Sequence, residues 1–203
     1  MHYQLSFTAL SLATAEMKEI ARLYLQTKDW EKVQKSVVEE NILQKTKIST
    51  RKRIFQEIKK RIEHLTETEL EILAFHSYDE ARLIALLSLY KTYRFLFDFA
   101  VEVLRKKLLL FDTNLLQSDY ETFIESKKLG YENLQTLAPT TATKIRQITF
   151  RIFKEAGLLQ DGKIQKPLLS PSITQAILGD NPIYLQGFLL SDQEIQAMIK
   201  ARR

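Results

Sequence analysis

Apolar residues recur along this chain at the three- and four-residue intervals of an α-helix. Ile54, Phe55, Ile58, Ile62 and Leu65 mark one such face. From Phe95 to Leu110 the apolar positions (Phe95, Phe97, Phe99, Ala100, Val101, Val103, Leu104, Leu108) lie almost all round the helix, which predicts a central buried segment. The aromatic stretch Tyr90 to Phe99 reads as core, with a base-stacking platform as the alternative. Helix starts are marked by a hydroxyl followed three residues later by glutamate: Thr66 and Glu69, Ser77 and Glu80, Ser118 and Glu121, Ser191 and Glu194. Asp29 before Trp30 and Ser49 before Thr50 are further cap candidates. These signals predict helices over 15–26, 30–41, 50–64, 67–76, 78–91, 94–110, 119–127, 141–156, 171–178 and 192–201.

One short unit breaks the pattern. Asp161-Gly162 sits between two short arms, the strongest local hairpin signal, so a β-hairpin is expected near 158–166. Pro167 ends its second arm, and Pro171 after Ser170 opens the next helix. A helix followed by a hairpin suits the recognition helix and wing of a winged-helix module. It suits equally a helix end followed by a chain reversal with no role in DNA binding. The predicted fold class is all-α, a helical bundle with this one hairpin. The chain reads as a single domain over 1–203, divisible into helical subdomains at about 1–112 and 113–203.

Composition narrows the chemistry. Among 203 residues there are 5 glycines and 4 prolines, and the first of either is Gly130. Such scarcity excludes a turn-rich all-β chain and argues against a glycine-loop nucleotide enzyme. With no cysteine there is neither a disulfide framework nor a thiolate zinc site, and His2, His64 and His76 are too scattered for a metal centre. No Walker loop, G-x-S-x-G or H-E-x-x-H motif is present, and Glu39-Glu40 point to different helix faces, so no enzyme and no cofactor is expected. Ala13 and Ala15 have signal-peptidase spacing, but no cation precedes them. The longest apolar stretch, Leu83 to Tyr90, is far short of the ~20 residues that span a bilayer. A cytoplasmic location is expected.

Charge is distributed unevenly. The formal net charge is +5, yet residues 44–61 carry 8 cations against 1 acid and 144–166 carry 6 against 2, while 62–104 carry 3 against 8. Two basic blocks separated by acidic segments suggest a polyanion partner. In the first block, a helix whose buried face centres on Ile58 places Lys52, Arg53, Gln56, Lys59 and Lys60 on the opposite side, where Glu63 at the far end is the only acid, with Arg51 and Arg61 near the seam. Helix N-termini ordinarily favour carboxylates, yet the expected first turn holds Arg51, Lys52 and Arg53 behind the hydroxyls of Ser49 and Thr50. Free N–H groups, hydroxyls and cations together make a phosphate site; a solvated basic face is the plainer alternative. Arg105-Lys106-Lys107 reads as ordinary charge at a helix C-terminus. In the second block Ile145, Ile148 and Ile152 mark the core side, with Gln147, Arg151 and Lys154 on another side and Arg146 nearby.

Taken in order, several segments resemble the BrxA family of bacteriophage-exclusion (BREX) systems. They are Ser6-Phe7-Thr8, Asp29 to Val33, Glu40 to Lys45 running into Ser49 to Ile54, Phe99 to Arg105, Lys144 to Gln147, Glu155 to Leu159, and Pro167 to Pro171. Ala9-Leu10 departs from the small glycines expected after Ser-Phe-Thr. The resemblance implies an all-helical fold similar to the RNA-binding antitermination factor NusB. It further implies double-stranded DNA binding, and action beside a methyltransferase, an ATPase and other BREX proteins. No catalytic residues carry over, and the apolar pattern argues against the inner-membrane label the family has sometimes had. The expected contacts are Arg51, Lys52, Arg53, Lys59 and Lys60 on phosphates, supported by Ser49 and Thr50, with Arg146, Arg151 and Lys154 as a second patch. An RNA binder and a protein scaffold within the BREX assembly are the rival readings.

Overall fold

The computed structural model describes residues 2–201. After a 3-10 turn (Ser6–Ala9) come α1 (Thr14–Thr27), α2 (Trp30–Val38), α3 (Ile48–Ile62), α4 (Glu67–Phe75), α5 (Tyr78–Thr92) and α6 (Arg94–Phe99). A π-helical turn (Ala100–Arg105) leads into α7 (Lys106–Leu109), followed by α8 (Gln117–Lys128), α9 (Glu132–Gln135) and α10 (Pro139–Glu155). The hairpin β1 (Leu159–Gln160) and β2 (Lys163–Ile164), α11 (Pro171–Asp180), a 3-10 turn (Pro182–Phe188) and α12 (Asp192–Ala201) complete the chain. The all-α expectation holds, hairpin included.

Helix α5 is the hub: every residue from Leu83 to Tyr90 is buried, with α1, α3, α4 and α6 packed around it. Tyr93, Phe95 and Phe99 are fully enclosed, so the aromatic stretch is core rather than a stacking platform. Phe99 carries that core across the middle of the sequence, its ring centroid 5.3 Å from Phe123 and 5.6 Å from Phe153. One contiguous apolar cluster extends from Tyr3 to Ile195.

The caps divide by locality. Asp29 accepts from the amides of Glu31 and Lys32 at the start of α2, and Ser170 accepts from Ile173 with Pro171 at the first helical position. Thr66 with Glu69, and Ser191 with Glu194, form the reciprocal pairs their spacing predicts. Ser77 accepts from Glu80, but the Glu80 carboxylate turns onto the hydroxyls of Ser77, Ser170 and Ser172. Two expectations are corrected. Ser49 is not a cap, because α3 begins at Ile48 with Lys47 in the cap position and no side-chain cap bond. Ser118 is not a cap either: α8 starts at Gln117, and the Asp119 carboxylate accepts the Leu116 amide at 2.8 Å.

A third correction concerns 94–110, which is not one uniform α-helix. Its π turn coincides with the inward turn of Arg105, which donates through Nε to the Leu190 carbonyl at 2.6 Å and through Nη2 to Asp192 at 2.7 Å. Arg105 is thus a buried tie to the chain before α12, not helix-end charge. The hairpin turn places Asp161 and Gly162 at φ 50° and 75°, and Leu159 pairs with Ile164. Residues 113–115 lie along its other edge, where Ile164 donates to Thr113 and Leu115 to Gly162.

Candidate nucleic-acid interface

Helix α10 buries Ile145, Thr149, Ile152 and Phe153. That leaves Lys144, Gln147, Arg151 and Lys154 exposed at successive spacings of 3, 4 and 3, one continuous outward stripe about 15 Å long. None of the three cations has an ion pair or hydrogen bond among the described residues. Arg146 lies off the stripe. It is half-buried, 3.8 Å from Glu121, and lines a recess of about 270 Å³ with Tyr120, Ile124, Leu134 and Ala142. Lys163, exposed on the hairpin that follows α10, is a further cation without a partner among the described residues, and the sequence reading did not single it out.

Helix α3 is less uniform than its pattern suggests. Lys52 and Arg53 are exposed and have no partner among the described residues, and the same holds for Lys47 before the helix and Lys35 on the adjoining α2. Arg51 is half-buried and donates through Nη1 to the Val38 carbonyl at 2.6 Å, closing the C-terminal end of α2. Lys59 reaches Glu63 at 3.7 Å and lies over the Trp30 ring. Lys60 donates to Gln4 at 2.9 Å and lies over the Tyr93 ring. Because the helix starts two residues early, Ser49 (exposed) and Thr50 (half-buried) occupy its first turn and the cations its second. The crowding of cations at the first free N–H groups is therefore corrected. What remains is an exposed basic surface at Lys47, Lys52 and Arg53.

Arg61 departs furthest from expectation: it is fully buried, not at a seam. Its Nε donates to Glu57 at 2.8 Å, while Nη1 and Nη2 donate to the carbonyls of Ser11 and Leu10 at 2.7 and 2.8 Å. Tyr93 donates its hydroxyl to the same Glu57 oxygen at 2.5 Å. Burial lowers the Arg61 pKa, opposed by the Glu57 carboxylate. Burial and the Glu57 bond both raise that of Tyr93. Residues 10–12 are thus held on their carbonyl side by α3. On their amide side they are held by α10, where Glu155 accepts from Leu12 at 2.9 Å. The N-terminal 3-10 turn packs on both helices, so one short segment ties the two basic helices together. No periodicity signals this, because each bond spans more than forty residues.

Among the described residues no group of three histidines and acids could hold a metal ion. No helix there is long and apolar enough to cross a membrane.

The family described as BrxA matches residues 1–180. The chain belongs to the BrxA family. A BrxA relative, the "BREX protein BrxA" of Bacillus cereus (strain H3081.97), is 29% identical over 189 residues, covering 90% of this chain and 94% of that protein. The crystal structure of an uncharacterized protein from Magnetospirillum magneticum superposes with a TM-score of 0.82 at 20% identity, covering 93% of this chain and 98% of that one. The second likeness establishes that the fold is shared.

Proposed function

We propose that this BrxA-family chain is a non-catalytic component of a BREX phage-defence system that binds double-stranded DNA in the cytoplasm beside other BREX proteins. The Lys144, Gln147, Arg151 and Lys154 stripe of α10 carries the reading. Three unpaired cations on one rigid helix face can meet phosphates without first breaking an intramolecular ion pair, and Gln147 between them can donate to phosphate or a base edge. Lys163, exposed on the hairpin that follows α10, adds a further cation. Lys52 and Arg53 of α3, with Lys47 and the Ser49 hydroxyl, supply the second patch. Arg51, Lys59, Lys60 and Arg146 contribute positive potential from side chains already engaged within the fold.

Phosphate contacts carry no sequence information, so binding is weakly sequence-specific. Single-stranded RNA readers ordinarily stack unpaired bases on exposed aromatics. The strongly exposed aromatic rings here, Phe75, Tyr78 and Phe111, lie on neither α10 nor α3, which favours duplex DNA. A gel-shift series over salt concentration tests the reading. The slope of log K against log salt on duplex DNA is expected near about −4 to −5. A flat response, or preferential competition by single-stranded RNA, overturns it.

A further inference from the structure

Tyr120 is only 5% exposed, yet its hydroxyl has no hydrogen-bond partner among the described residues. Its ring is committed to the core, 5.8 Å from Phe99 and 5.7 Å from Phe150. The fully enclosed side-chain atoms left without a partner there are Arg51 Nε, Glu69 Oε1 and Arg82 Nε. The Tyr120 hydroxyl is not one of them, so it keeps contact with the recess that Tyr120 lines between α8, α9 and α10. A hydroxyl so placed ordinarily finds a partner, because leaving it unmet is costly. The Arg146 guanidinium is near enough to oppose the rise in pKa that burial imposes on it.

The other polar groups of the recess are also only partly used. Arg146 stands 3.8 Å from Glu121 Oε1, within ion-pair reach but too far for a hydrogen bond, so its N–H groups remain to donate. Glu121 accepts from Gln117 through Oε1 at 2.6 Å, while its Oε2 has no partner among the described residues. The walls between them are apolar, formed by Ile124, Leu134, Leu137 and Ala142. Lys128 is paired with Glu125 at 2.6 Å, so the two cations and two acids of the lining cancel in formal charge.

That balance selects a ligand. A bare anion would meet two carboxylates, and a bare cation two side chains of its own sign. A flat, uncharged body with acceptor and donors side by side on one edge meets neither. On guanine a carbonyl oxygen adjoins two N–H groups, the complement of a guanidinium beside a carboxylate. The volume of about 270 Å³ is at the small end for ligand sites, room for one base with its sugar and phosphate outside. We infer that this recess binds a guanine base, Arg146 donating to the carbonyl oxygen, Glu121 accepting from the N–H edge and Tyr120 meeting a further polar atom. Thr143 and Arg146 stand one position before Lys144 and Gln147, so the recess flanks the α10 stripe. The base belongs either to a free nucleotide or to an unpaired position in a DNA strand, and only the second source rests on the proposed DNA binding.

Titration of guanosine monophosphate into ¹⁵N-labelled full-length protein is expected to shift the amides of Tyr120, Ile124, Ala142 and Arg146 saturably, with a Kd of about 1 mM or tighter. Adenosine monophosphate should bind about tenfold more weakly, and ribose 5-phosphate should leave these amides unmoved. Tyr120→Phe removes a hydroxyl that bonds nothing within the fold. It should weaken guanosine monophosphate by about three- to tenfold, with the melting temperature and the affinity for a fully paired duplex unchanged. Glu121→Gln should abolish the preference over adenosine monophosphate. Fluorescence anisotropy on a duplex with one bulged guanine, against the same duplex without it, separates the sources. Tighter binding of the bulged duplex, lost in Tyr120→Phe, assigns the strand; equal binding assigns the free nucleotide. No saturable response to guanosine monophosphate, an equal response to ribose 5-phosphate or adenosine monophosphate, or affinity unmoved by both variants overturns the proposal. Absence of duplex binding with the nucleotide response intact overturns the DNA reading alone.

Discussion

Glu155 accepts the backbone amide of Leu12 at 2.9 Å and leaves Arg151, one turn earlier on the same helix, without a partner among the described residues. The choice is not imposed by spacing. Arg94 and Asp98, in the same order and four residues apart, close to 2.6 Å. A backbone amide on an ordered, buried segment is a fixed donor, whereas a surface i,i+4 pair stabilises by only about 0.2–0.5 kcal/mol. The fixed donor wins, and the stripe keeps its central cation.

Replacing Glu155 separates its two effects. Glu155→Ala should cost about 1–2 kcal/mol in chemical denaturation, because the Leu12 amide loses its acceptor. Glu155→Gln, which retains an acceptor, should cost less. Both remove a negative charge beside Arg151 and Lys154, so both should tighten DNA binding modestly in a titration at low salt. Weaker DNA binding by the glutamine variant would contradict the assignment of α10 as the contact face.

The Arg61–Glu57 pair is buried and shared among Tyr93, Ser11 and Leu10. Arg61→Met leaves Glu57 uncompensated in the interior and should destabilise by about 3–5 kcal/mol in urea unfolding. Replacing Glu57 by Gln in the same chain should recover part of that loss, since the stranded charge is then gone. No recovery would mean that the ties to the Leu10 and Ser11 carbonyls dominate.

The two basic helices predict unequal losses. The triple change Lys144, Arg151 and Lys154 to Ala should weaken binding to all duplexes alike and make the salt slope shallower by about 2–3. Lys52 and Arg53 to Ala should reduce it by about 1–2. Arg51→Ala should act mainly on stability, because its guanidinium closes α2 at Val38. A gel-shift salt series for each variant, paired with its melting curve, distinguishes the three.

Acid should loosen the junction of α5 and α11. Hydrogen bonds from Ser170 and Ser172 hold the Glu80 carboxyl at about 2, below its ordinary 4.5. A carboxyl whose pKa is depressed on folding stabilises fully above its unfolded value, and that contribution fades as pH falls from 4.5 toward 2. Glu194, held at about 2 chiefly by Lys166, adds to the same window. Ser172→Ala should raise the Glu80 pKa, read by NMR titration, and flatten the fall of the urea midpoint over that range. The Ser170 cap of α11 stays intact in this variant.

Legibility followed distance along the chain. Asp29, Thr66, Ser170 and Ser191 cap the helices their sequence neighbourhoods announce, and Asp161-Gly162 turns where it should, because each interaction closes within a few residues. The α10 stripe was partly legible for the same reason: a helical period assigns faces, and Gln147, Arg151 and Lys154 fall together on the side away from Ile152.

Periodicity could not tell which cations stay free. Arg51 and Lys52 are neighbours in a run of three, yet one is committed to the Val38 carbonyl and the other faces water. Arg61 reads as a seam residue until the Leu10 and Ser11 carbonyls arrive from fifty residues away to satisfy it. By itself the sequence determined the helices, most of their ends and the sign of their exposed faces, since those follow from local geometry. Only the tertiary structure decided which charges were satisfied within the fold, because the partners of a guanidinium or an amide are set by packing between segments remote in sequence.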